Sequence, residues 1–249
     1  MKKRIVSFKI KWFYVVITII ILACIQRAIE LVCGNYVFGF DQGKHWLGAK
    51  ALVVDHKIPL IGDEVGGARG FFQGPGWIYS LSIFYFLFQG NPYGGIVLMF
   101  LSGITTVVLA LWLFRKAFGT LTSGCIGLLL AISPILIESS RLTWPPHMIP
   151  PLAIISLYAV WKMITGVYMY MPVLFFVVAC MEHFEIATAG TMAITLLVYI
   201  IPFGIMRKIP LKIVLLSVFA WCIPFLPLVV FDIRHQFLNV KGIIETFGG

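Results

Sequence analysis

The sequence predicts an all-α polytopic membrane protein, and three observations predict it. Hydrophobic residues make up 60% of the 249 residues and charged residues only 12%, with a mean hydropathy of +0.99, more apolar surface than one soluble core of this length hides. The apolar runs are continuous rather than alternating, which fits helices and excludes barrel strands. Polar and titratable residues gather in a few short separators between those runs. The richest is the segment 40–77, which holds four of the ten acids and two of the five histidines.

Taken in order, the basic start MKKRIVSFKIKW leads into an apolar run from Trp12 to Ile25. With no clean small-residue cleavage site behind it, this reads as a signal anchor with its lysines in the cytoplasm. Residues 31–75 form a long first outer loop, with an amphipathic helix expected after Asp41. The piece 76–89 is about 14 residues long, short for the ~20 that a span needs, and reads as a re-entrant or interfacial helix. Apolar runs follow at 93–114, 120–137, 149–161, 167–181, 186–206 and 213–231. The whole of 1–249 reads as one membrane-embedded domain.

The positive-inside rule sets the orientation. With Arg115-Lys116, Lys162 and Arg207, Lys208 and Lys212 in the cytoplasm beside the N-terminus, single crossings connect all the runs. That face then carries 11 of the 19 Lys and Arg residues and no acid, while every acid and histidine falls on the outer face. The net charge of +9 is thus spread over span flanks, not gathered into a nucleic-acid surface. Four outer segments (41–75, 138–148, 181–185 and 232–241) are expected to converge on one site, because ionisable groups at membrane depth face a cavity or a partner.

Several residues are candidates for chemistry. Asp41 opens a helix and serves either as its N-cap or, as a carboxylate held ionised there, as a general base. Asp63 and Glu64 lie in the glycine-rich GDEVGGARG turn, whose amides suit an anion, with Arg69 as a phosphate partner; the acid pair is also compatible with a divalent metal, although the sequence implies none. Arg141, Trp144 and His147 lie in a segment stiffened by Pro145-Pro146 and Pro150-Pro151, where a helix begins at Pro150 or Pro151. Arg141 beside Trp144 fits a phosphate with a sugar face near it, and equally an anchor at the membrane interface. Glu182 and His183 form a membrane-depth acid–imidazole pair without a second histidine one turn away, which argues against a zinc protease. Asp232, Arg234, His235 and Asn239 leave the last span toward the same rim. The five cysteines lack metal-ligand spacing and read as small buried hydrophobes.

Together the early FDQG, the FQGPGWIYS opening, SPILIESS followed by SSRLTWPPHMIPP, the embedded HF and the terminal PFLPLVVFDIRHQF resemble the membrane glycosyltransferases of the GT-C fold. The similarity is to the bacterial dolichyl-phosphate-mannose-protein mannosyltransferase-like group. The resemblance implies a GT-C-like helical bundle with short helices in its first extracytoplasmic loop. It further implies an inverting hexosyltransferase using a polyprenyl-phosphate-linked sugar donor and a glycan, lipid or protein acceptor at the outer face of the plasma membrane. On it, Asp41 is the base or positions the acceptor, Gln73, Gly74 and Pro75 line the site, and the segment Arg141 to His147 borders it. Arg69, Arg141 and Arg234 are suited to a phosphate leaving group, with Asp63, Glu64, Glu182, Asp232 and His235 in support. Asp41-Gln42 stands where the group usually has an acid pair. Its members are longer, so the chain reads as the N-terminal part of a larger transmembrane region. No cofactor is implied. The competing readings are a polytopic transporter and a non-catalytic membrane subunit.

Overall fold

A computed structural model describes residues 2–34 and 36–248. They form ten α-helices and one 3-10 turn: α1 Lys2–Cys33, α2 Phe40–Val53, α3 Gly76–Leu87, α4 Tyr93–Ile132, α5 Pro134–Ser139, the turn Pro145–Met148, α6 Ile149–Ile164, α7 Tyr170–Met181, α8 Ile186–Arg207, α9 Leu211–Arg234 and α10 Leu238–Phe247. No strand occurs among the described residues; a single bridge pairs Glu64 with Phe72. Among the described residues, four segments are long and apolar enough to cross a bilayer, namely Trp12–Cys33, Tyr93–Ile132, Pro145–Ile164 and Leu211–Arg234. This is a multi-pass helical membrane protein. Its outward faces are accordingly apolar, with Ile21, Ile25 and Ile29 on α1 and Leu215, Phe219 and Leu226 on α9 all exposed, as lipid-facing surface requires.

α4 is a helical hairpin rather than one rod. Gly119 takes φ 86° and ψ −179°, backbone that essentially only glycine adopts. The arms 93–118 and 120–132 return along each other, so that Ser123 Oγ donates to the Leu111 carbonyl at 3.0 Å and Gly127 leaves no room for a Cβ against Leu111. The second arm stops at Ile132, before Pro134 begins α5, which divides the apolar run expected as 120–137. The terminal carbonyls of this arm have no helical partner of their own. Arg27 supplies one: it is 1% exposed, and its guanidinium donates to Ala131 O at 2.8 Å, Leu130 O at 3.0 Å and Ser140 Oγ at 3.1 Å. α1 therefore runs well past Ile25, with an arginine packed inside the bundle.

α3 does not cross. Its first residue, Gly76, meets the turn after α7, while Tyr93, just beyond its other end, donates to Leu31 O near the end of α1 at 3.0 Å. Twelve residues at 1.5 Å each reach about 18 Å. Both ends of α3 thus lie toward the same end of the bundle. α2 packs along α3, and Trp46, Trp77, Leu81, Met99 and Phe184 form the apolar cluster beneath the pair. At the opposite end, the guanidinium of Arg115 sits over Trp12, which puts the Arg115-Lys116 turn beside the N-terminal part of α1.

Candidate functional site

α2 starts at Gly39, not at Asp41: the Gln42 side chain folds back and its Oε1 accepts the Gly39 N–H at 2.9 Å. Gln42 thus satisfies a donor that the helix start leaves open. Asp41 occupies the first turn, exposed, and accepts no hydrogen bond from the described residues. Positions 41, 44, 45 and 48 share one helical face. Lys44, His45 and Gly48 on that face line a cavity of about 290 Å³ closed by Lys57, Pro59, Ile61 and Ile78.

The glycine-rich turn folds into a small hairpin. Gly62 N–H donates to Gln73 O at 2.7 Å, Gln73 N–H to Asp63 O at 2.9 Å, and Val65 N–H to Phe71 O at 2.8 Å. Its tip is fastened by the Glu64 carboxylate, which accepts the Gly70 N–H at 2.7 Å. That amide, expected to help cradle an anion, is already taken. Asp63 accepts from both Lys44 Nζ and His45 Nε2. The His45 hydrogen bond, and then Lys44, hold its carboxyl down at about 2 against the opposing effect of burial. The two acids therefore serve different partners. Among the described residues no group of three or more His, Cys, Asp or Glu side chains is placed to hold a metal ion.

The other polar segments close on this pair of elements. His45, 3% exposed, lies against Trp77 (ring centroids 6.0 Å apart, perpendicular) and Trp144 (6.2 Å). Gln42 Nε2 reaches Thr143 O at 3.4 Å. Glu182 Oε1 accepts the Gly74 N–H at 3.3 Å, and His183 Nδ1 accepts the Gly76 N–H at 3.0 Å while its Nε2 donates to Pro224 O on α9 at 3.0 Å. That pattern fixes a neutral imidazole with its proton on Nε2, and burial holds His183 below its usual range. The Gly-Pro-Gly of 74–76 is required by this contact, since a Cβ at Gly74 would lie 2.1 Å from His183 Nδ1. On the far side, Asn239 Oδ1 accepts the Phe72 N–H at 2.7 Å and its own N–H donates to Asp232 Oδ1 at 2.7 Å. Gly242 of α10 packs backbone to backbone on Gly70.

All four polar segments thus meet at one end of the bundle, and Asp63, Gln73, Trp144, Glu182, His183 and Asp232 belong to the meeting. Other expected residues stand differently. Arg69 sits exposed on the hairpin tip, and Arg234 and His235 are exposed at the end of α9, His235 bonding back to Phe231 O at 2.8 Å. Arg141 is half-buried and donates to Gln26 O at 2.7 Å, tying its segment to α1. His147 Nδ1 bonds Leu142 O at 2.8 Å within its own turn, and α6 begins at Ile149, next to the expected Pro150. None of the three arginines lines the polar cavity; Lys44 and Lys57 do. Those lysines and His45 are the residues that reading the sequence for acids and arginines passes over. The i, i+3, i+4, i+7 spacing of Asp41, Lys44, His45 and Gly48 was the signal for Lys44 and His45; no such spacing marks Lys57. A larger apolar groove of about 720 Å³ runs between α1 and the second arm of α4, from Trp12 to Leu128, at the end away from the loops. It is a lipid-facing crease with no titratable lining other than Tyr14 and Cys125.

Comparison with protein-family models, with curated proteins and with solved structures finds no match.

Proposed function

We propose that the chain is a membrane glycosyltransferase that moves a sugar from a polyprenyl-phosphate donor to an acceptor hydroxyl at the extracytoplasmic side. The observation that carries this reading is the convergence of four polar segments on one cavity-bearing end of an otherwise apolar bundle. A lipid-linked donor needs that division, with its tail among helices and its reacting carbon at a polar rim. The acceptor oxygen attacks the anomeric carbon as the bond from that carbon to the phosphate oxygen breaks. The electron pair leaves with polyprenyl phosphate, the hydroxyl proton passes to a carboxylate, and the configuration inverts.

Of the first-loop acids, Asp63 is a poor base, with both oxygens engaged and a carboxyl held near 2. Asp41 is uncommitted and exposed; it lies one helical turn before Lys44 and His45, which line the cavity, and does not line it itself. It is the base in this proposal, with Trp144, packed against His45, placed to meet the sugar. In membranes supplied with labelled polyprenyl-phosphate sugars, we expect Asp41→Asn to lower transfer by about 100-fold or more at unchanged protein abundance. Near-wild-type transfer by that variant sinks the base. Absence of polyprenyl phosphate release by the wild type across donor sugars sinks the transferase and leaves a non-catalytic or transport role.

A further inference from the structure

The cavity of about 290 Å³ between α2, α3 and the segment 57–63 has a charge balance that points to one class of ligand. Its size is at the lower edge of the ~300–1,000 Å³ of small-molecule pockets, which is room for one ring-sized group. Its walls are Ile58, Pro59, Ile61 and Ile78, with Gly48 and Ala51 opening the floor. Three charged side chains line it: Lys44, Lys57 and Asp63. Asp63 is committed to Lys44 and His45. Lys57 has no ion-pair partner among the described residues, and the nearest acid in sequence, Asp55, does not line the cavity. One cation is therefore left unbalanced. The imidazole of His45 also lines the cavity, 3% exposed, with its Nε2 committed to Asp63.

We propose that this cavity binds the monoanionic group, a carboxylate or a phosphodiester, of a small polar ligand, with Lys57 as its counter-charge. Resting on the transferase reading above, that ligand is the acceptor. A carboxylate or phosphodiester matches one free lysine, whereas a dianion leaves a charge uncompensated beside Asp63. The apolar walls take the face of the ring that carries it.

The test uses the full chain in phosphatidylcholine nanodiscs, with glucuronate and glucose as matched probes and binding measured by calorimetry. Glucuronate is expected to bind at least about tenfold more tightly than glucose, the effect of one charge-assisted hydrogen bond. Lys57→Gln should abolish that preference and Lys57→Arg keep it. Ala51→Phe, which fills the floor, should lose both sugars. Equal affinities for the two sugars in the wild type, or an unchanged preference in Lys57→Gln, overturns the site. Repeating the measurement in phosphatidylglycerol nanodiscs separates the two sources of the anion. A glucuronate preference that survives there supports a diffusible ligand. A preference that vanishes assigns the cavity to a lipid headgroup and overturns its role for a soluble acceptor. Glucuronate binding without any sugar transfer keeps the anion site and removes the transferase. Transfer that continues without glucuronate binding does the reverse.

Discussion

At the scale of single residues, the turn after α7 shows how buried polar side chains at the loop end of the bundle are made tolerable. Glu182 has one oxygen on the Gly74 N–H and the other buried without a partner. Burial consequently pushes its carboxyl up from 4.5 to about 7. A carboxyl raised in the folded state holds its proton there at a pH where the unfolded chain has released it. Its contribution to stability is therefore full below about pH 4.5, declines as pH rises toward 7, and is flat beyond. We expect Glu182→Gln, which keeps an oxygen for Gly74, to match the wild type in thermal stability at pH 4.5 and to exceed it at pH 7.5. A gap that stays constant with pH would show that the ionised form is not opposed by burial. Comparing the two proteins at each pH cancels His183, whose lowered imidazole acts the opposite way, losing stability as pH falls below 6.5. The same turn explains the glycines at 74 and 76. Adding the methyl of Gly74→Ala drives His183 out of its place between Gly76 and Pro224. Overpacking of this kind costs about 1–3 kcal/mol, measurable as a lower melting temperature in detergent. An unshifted melting temperature would mean that His183 gives way freely. The pattern FQGPGW stands out in the sequence through its glycines around a proline. Its reason, an imidazole more than 100 positions away, does not, because sequence periodicity says nothing about which loop packs on which.

At the scale of elements, the apolar runs were readable because a bilayer dictates both length and continuity. The runs at 149–161, 186–206 and 213–231 correspond to α6, α8 and α9 within a few residues. What failed to show was the treatment of helix ends. The run 120–137 has no charge before Glu138, yet its helix stops at Ile132, since Pro134 cannot continue the ladder and the last carbonyls need outside donors. Arg27 answers that need from another helix. In the sequence it looks like a polar flank after a signal anchor, and the physical cue lay in the bare helix end, not in the arginine. Gly103 confirms how tightly the junction is built, because a Cβ there would lie 2.0 Å from Ser140 Oγ and 2.9 Å from Arg27 Nε. Arg27→Met keeps the length of the side chain and removes its donors. It leaves the Leu130 and Ala131 carbonyls short of a partner inside the bundle, at about 1–3 kcal/mol for each such group, while Ser140 Oγ keeps its bond to Leu136 O. We expect most of the variant to be lost from the membrane fraction or recovered aggregated, with Arg27→Lys intermediate because one ammonium cannot span all three acceptors. Normal yield and melting of Arg27→Met would mean that the carbonyls find other donors.

At the scale of the whole molecule, the separation of charge from charge is what makes a site at one end intelligible. The titratable loops, the cavity and α10 occupy the end where α1 and α7 finish and α4 begins, while Arg115 and Lys116 sit at the other with the start of α1. Acids do not direct insertion, so their collection at a single end follows from what the loops do there. The helices alone do not say which end faces out; the positive-inside rule, applied to the basic residues at the opposite end, predicts that the loops are extracytoplasmic. That assignment can be measured without any substrate. Gly66 lies at the exposed part of the hairpin with open space around it, and Lys116 is exposed at the other end. Cys33, which is exposed near the loop end, is first replaced by serine to remove background. In intact cells an impermeant maleimide is then expected to label Gly66→Cys and spare Lys116→Cys, and permeabilised cells should show both. The reverse pattern would turn the bundle over, place Asp41, the hairpin and the cavity of Lys57 in the cytoplasm, and take away the lipid-phosphate donor, whose sugar is presented at the outer surface in the reaction proposed.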